Sequence, residues 1–141
     1  MPTAIDVTGA ASELRIVLGR LVRRLRAENT LPLPHATVLG RLDRGGPRTT
    51  SALAAAEQVR PQSMAQTVKD LIDAGLVERR PDPADGRQLL LELTGRGIAL
   101  LREERQQRDG WLSRTIAERL SPDEQEILVR AVPLLQRLTD A

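Results

Sequence analysis

Between Thr49 and Leu93 the chain changes its hydrophobic period in an order that few folds accommodate. Thr49, Thr50 and Ser51 offer hydroxyl N-caps to a short helix running to about Gln58, with Leu53, Ala54 and Ala56 small or apolar enough for close packing. A turn at Val59-Arg60 follows, and Pro61 opens a second helix to about Ala74. Met64, Val68, Leu71 and Ile72 form its buried stripe, and Gly75 is the expected stop. The period then becomes extended. Leu76–Arg80 and Gln88–Leu93 read as two short strands, joined by the turn-rich loop 81–87. A short helix, a tight turn, a longer helix and a hairpin make a winged helix-turn-helix. The expected fold class is therefore mainly α with a small β-hairpin wing.

Composition agrees with packed helices. Trp111 is the sole aromatic residue, so the core must be built from Leu, Val, Ile and Ala. Helical arms flank the central lobe. Residues 10–28 place Leu14, Leu18, Leu21 and Leu25 on one stripe, with Ser12 as the expected N-cap. Leu31-Pro32-Leu33-Pro34 breaks that helix, and a second begins at Pro34 and runs to about Asp43. After Thr94 a long helix carries Ile98, Leu101, Trp111, Leu112 and Ile116, with a weak point at Gly110. Ser121-Pro122-Asp123-Glu124 has capping-box spacing before the last helix, which Pro133 is expected to kink or split. The chain is read as a single domain over 1–141, with a winged helix-turn-helix lobe at 31–93. The apolar stripe of the first helix needs a partner, either this domain's own core or a second subunit.

Net charge is only +2, so charge alone does not argue for nucleic acid; placement must do so. In a helix-turn-helix the second helix enters the major groove. On Pro61–Ala74 the face opposite Met64, Val68 and Leu71 carries Gln62, Gln66, Lys69 and Asp73, with Ser63 and Asp70 at one flank. Glutamine can bond adenine twice, and serine can bond bases or phosphate. Arg87, beside the Asp-Gly turn of the wing, is placed to reach a narrow minor groove. Arg48, Thr49 and Thr50 at one helix start, Arg60 at the next, and Arg79 on the first strand complete the expected DNA-binding set. Asp82 and Asp85 are expected to hold Arg79, Arg80 or Arg87 by salt bridges.

The runs Thr50-Ser51-Ala52-Leu53-Ala54, Ser63–Leu71 and Gly75-Leu76-Val77-Glu78-Arg79 resemble those of MarR-type regulators. So do the wing Asp82-Pro83-Ala84-Asp85-Gly86-Arg87, the run Leu93–Gly97 and the closing Leu120–Glu124. The resemblance covers nearly the whole chain. It implies a homodimer whose first and last helices interlock, with dimerisation helices at 10–30 and 94–141 and dimer contacts expected from Leu14, Leu18, Leu21, Leu128, Leu135 and Leu138. It further implies two winged lobes on double-stranded DNA and a pseudo-palindromic operator. It also implies, for many members, release by a small phenolic or other aromatic effector. By position it places Gln62, Ser63 and Gln66 in the major groove and Arg87 in the minor groove. This chain departs from the family in lacking an aromatic near Ala36 and in having Pro133.

Other classes of function find little material. Cysteine is absent, which excludes disulfides and thiolate sites. His35 is the sole histidine, read as a cap or surface residue. No cofactor loop, metal set or catalytic triad is present, so neither an enzyme nor a cofactor is expected. No membrane span and no leader in Met1–Ala11 are read, and a cytoplasmic location is expected by default. The rival reading is a winged helix that binds protein without specific DNA affinity.

Overall fold

The computed structural model describes residues 4–140. The reading of Met1–Ala11 and the last position of the 94–141 arm, Ala141, therefore lie partly outside the described residues. The chain forms α1 (Val7–Arg26), α2 (Leu33–Gly45), α3 (Thr50–Glu57), α4 (Pro61–Asp73), β1 (Val77–Pro81), β2 (Leu89–Leu93), α5 (Gly95–Arg119) and α6 (Pro122–Thr139). The order is the one the periodicity predicts, helical with one antiparallel hairpin.

Several boundaries move for local reasons. α1 starts five residues before Ser12, because Asp6 caps it by accepting from Gly9 N at 2.9 Å. Leu76 is not the first strand residue. Its N–H donates to the Leu71 carbonyl at the end of α4, while its own carbonyl accepts from Thr94 N. Gly75 supplies the required turn at φ +75°. Between α3 and α4 the left-handed position falls on Gln58, at φ 55°. α5 passes through Gly110 without a break, and α6 is one helix over Pro122–Thr139 with Pro133 inside it. Pro133 thus does not split the last helix.

The core is the meeting place of the lobe's elements. Val38, Leu39 and Leu42 of α2 pack with Leu53 of α3, and with Met64, Val68 and Leu71 of α4. Leu76, Val77 and Leu91 close it from the hairpin, and Leu101 from α5. No residue of α1 or α6 is buried. α1 is tied to α5 by Trp111, half-buried with the Arg24 guanidinium 4.4 Å from its ring centre. The one buried charge among the described residues is also structural. Glu104 of α5 accepts from Thr30 N at 3.0 Å and from the Thr30 hydroxyl, holding the α1–α2 connection onto α5. Buried carboxylates need such partners.

The capping box before α6 is formed, with Ser121 Oγ accepting from Glu124 N and Glu124 Oε1 accepting from Ser121 N. Those bonds favour the charged carboxylate and lower the Glu124 pKa below its ordinary 4.5. A lowered pKa stabilises above the unfolded value and loses that contribution as pH falls through the folded one. Ser121→Ala should cost about 1 kcal/mol through loss of the N-cap acceptor. Glu124→Ala should lower the melting temperature near neutral pH, and its gap to the wild type should narrow once pH drops below 4.5. A gap that is unchanged in acid would exclude the Glu124 half of the box.

Candidate nucleic-acid interface

α4 is amphipathic by construction. Met64, Val68 and Leu71 are buried, which turns Gln62, Ser63, Gln66 and Lys69 to solvent. Pro61 stands at its first position, Arg60 at its N-cap in an extended conformation, and its first turn has no acid. The free amides of that end and the helix dipole present partial positive charge. Thr67 spends its hydroxyl on the Ser63 carbonyl, so it offers no free donor.

α3 supplies a second helix start on the same lobe. Thr49 is its N-cap, accepting from Ala52 N at 3.1 Å, and Thr50 is its first residue. A hydroxyl used as a cap acceptor keeps its own proton to donate. Thr49, Thr50 and Ser51 share a cleft with Gln88 and Leu89 of the wing, so the structure brings this helix start to the hairpin. Arg48 joins them through a link that the sequence did not announce. Its backbone pairs with Leu91, N–H to carbonyl at 3.2 Å and the reverse at 2.8 Å. The segment before α3 thereby becomes a one-residue third rung on the hairpin, and Arg48 is fixed between α3 and the wing.

The wing is a regular antiparallel pair, from Val77 opposite Leu93 to Pro81 opposite Leu89. Arg79 is exposed, opposite Leu91 and so on the same sheet face as Val77. Arg87 is exposed in the loop. The two aspartates do not act as expected. Asp82 accepts from Ala84 N at 2.9 Å and Asp85 from Arg87 N at 3.1 Å, so both are turn-builders bonded to backbone. Arg80 pairs instead with Glu92 across the hairpin, at 2.9 Å. Geometry explains the difference: residues two apart in a tight loop reach each other's amides more readily than their long side chains meet.

Sequence reasoning named two residues of this surface, Asp70 and His35, without their contacts. Asp70 accepts from Gln66 Nε2 at 2.9 Å and lies 3.4 Å from His35 Nε2 of α2. His35 is thus neither a cap nor a free surface residue, but a partly covered contact between α2 and α4. The i, i+4 spacing of Gln66 and Asp70 could have signalled the first bond; nothing in the sequence signals the second.

Among the described residues no group of three His, Cys, Asp or Glu side chains is placed to hold a metal. No helix among them is long and apolar enough to cross a membrane.

Known proteins share this architecture. The family model described as MarR family matches residues 29–88, which run from before α2 through the wing loop. An HTH-type transcriptional regulator of Mycobacterium tuberculosis is 38% identical over 133 residues, covering 92% of each chain. The crystal structure of a transcriptional regulator from Pseudomonas aeruginosa superposes with a TM-score of 0.84 at 33% identity, over 95% of each chain. A mutant of Staphylococcus aureus MepR, solved bound to an oligodeoxyribonucleotide, shares the fold. Its TM-score is 0.69 at 20% identity, over 93% of this chain and 96% of that one.

Proposed function

Since the chain belongs to the MarR family of transcriptional regulators, we propose that it acts as a homodimeric repressor on a pseudo-palindromic operator in double-stranded DNA. The observation that carries this reading is the convergence on one lobe of three features. These are the exposed polar face of α4, the α3 start beside Arg48, and the wing arginine Arg87. The DNA-bound relative from Staphylococcus aureus supports it, because the fold is shared. In this reading Gln62, Ser63 and Gln66 read bases. Arg48, Thr49, Thr50, Arg60, Lys69 and Arg79 contact phosphate, and Arg87 enters the minor groove.

The dimer would form through α1 and α6. Neither buries a residue in the single chain, and both leave apolar side chains exposed, including Leu14, Leu18, Val132 and Leu138. Leu21, Leu128 and Leu135 are half-buried beside them. A small aromatic effector would release the DNA by favouring lobe spacings that misfit the operator. The cleft between α2 and α5, lined by Ala36, Arg44, Leu101 and Arg108 among others, spans the lobe and the dimerisation arm and suits that role.

The test is the affinity for a labelled duplex as a function of salt. A dimer neutralising six to ten phosphates should lose about 10³- to 10⁵-fold in affinity between 50 and 200 mM salt. Arg87→Ala removes two contacts from the dimer and should weaken binding about a hundredfold and lower the salt slope by about two. Affinity that is absent, or independent of salt, would leave the protein-interaction module as the reading.

A further inference from the structure

The carboxylate of Asp70 is engaged from two sides. Oδ1 accepts from Gln66 Nε2 at 2.9 Å, one turn back along α4. Oδ2 lies 3.4 Å from His35 Nε2, which comes from α2 behind the reading helix. The His35 side chain is 20% exposed and that of Asp70 47% exposed, so the histidine is the fixed end of this chain of contacts. Gln66 is its exposed end.

We propose that Asp70 is a specificity-determining positioning residue, braced by His35, which fixes the edge that the Gln66 amide offers to DNA and makes adenine the preferred base there. This inference rests on the reading of α4 as the element in the major groove.

The two ends of an amide differ in hydrogen bonding but not in shape. Turned over about its last bond, glutamine exchanges a carbonyl acceptor for an NH₂ donor with almost no change in shape. An ionised carboxylate only accepts, so Asp70 attracts the NH₂ end and repels the carbonyl. The amide is thereby held in one of its two orientations. One N–H goes to Asp70. The other N–H, together with Oε1, forms an edge of one donor and one acceptor. Adenine presents the complementary pair in the major groove, with N6–H donating and N7 accepting. Guanine presents two acceptors, O6 and N7. Bridging those would need both amide hydrogens, and Asp70 holds one of them. An unbraced glutamine has no such restriction and can satisfy either purine.

The experiment is selection of bound duplexes from a randomised pool, followed by sequencing, for the wild type and three variants. The wild type should enrich adenine at one symmetric position in each half-site, and Gln66→Ala should lose that preference. Asp70→Ala should reduce adenine discrimination at that position about five- to tenfold, the lower range for one bidentate contact. Total affinity should stay the same or rise, since a negative charge near phosphate has been removed. Asp70→Asn can donate as well as accept, so it no longer selects one orientation of Gln66 and should lose most of the preference. A merely structural role for Asp70 would lower affinity at all positions together. Adenine preference surviving in Asp70→Ala, or surviving in Gln66→Ala, overturns the proposal. A wild type that enriches no sequence at all instead overturns the DNA-binding reading on which it rests.

Discussion

Placing aspartate at both Leu18 and Leu138 should convert the protein to a monomer and remove operator binding, while the winged lobe stays folded. Leu18 of α1 is 38% exposed and Leu138 of α6 is 64% exposed in the single chain. Their replacement therefore takes little from the lobe's own core. In a two-fold dimer each substitution acts twice. Fully burying a leucine contributes about 1.5–3 kcal/mol, and a carboxylate buried without a partner adds a further cost. Even partial burial of four leucines should weaken the dimer by about a thousandfold or more. Sedimentation would report the association state, and circular dichroism would report that the helices persist. A double variant that remains dimeric at micromolar concentration would remove α1 and α6 from the interface.

The second large effect is expected at a glycine. A Cβ added to Gly97 would lie 2.1 Å from the Leu76 carbonyl oxygen, which is backbone and cannot swing away. That carbonyl already accepts from Thr94 N, and the Thr94 hydroxyl donates to the Gly75 carbonyl at 2.7 Å. The end of α4, the base of the wing and the start of α5 are thus tied within one small knot, which Gly97 permits to close. Gly97→Ala should destabilise the fold by about 2–3 kcal/mol, the upper part of the range for overpacking. For a chain of this size the melting temperature should fall by roughly 6–12 °C. Gly95→Ala is the internal control, because a Cβ there would have nothing within 4 Å. Equal melting temperatures for the two variants would show that the contact at Gly97 relaxes without cost.

Gly97 also shows where the sequence stops being legible. The Gly95-Arg96-Gly97 run reads as a helix start, and it is one, but only the packed structure shows which glycine the fold needs. Elements announced by local signals were readable: Pro61 opening α4, Gly75 ending it, Thr94 and Ser121 as caps, and the two short extended runs around a turn-rich loop that make the hairpin. Features that depend on residues distant in sequence were not. Glu104 reads as one more charge on a polar helix, yet it is buried against Thr30. The pairing of Arg48 with Leu91 joins an irregular segment to a strand 43 residues away, and no periodicity announces it. On the interface, burial of Met64, Val68 and Leu71 leaves Gln62, Ser63, Gln66 and Lys69 exposed, as their spacing predicts. The partners of charged side chains were harder to read. Asp82 and Asp85 turned to backbone amides, and Asp70 reached His35, because short acidic side chains take the nearest donor that the tertiary fold presents.

The central claim is that two copies of this chain read one symmetric DNA site. Sequencing the duplexes that the wild-type protein retains from a randomised pool tests it most directly. The expected result is an inverted repeat whose half-site centres are about 10 bp, or a multiple of that, apart. Retention of DNA with no enriched sequence, or of a single unrepeated motif, would contradict it.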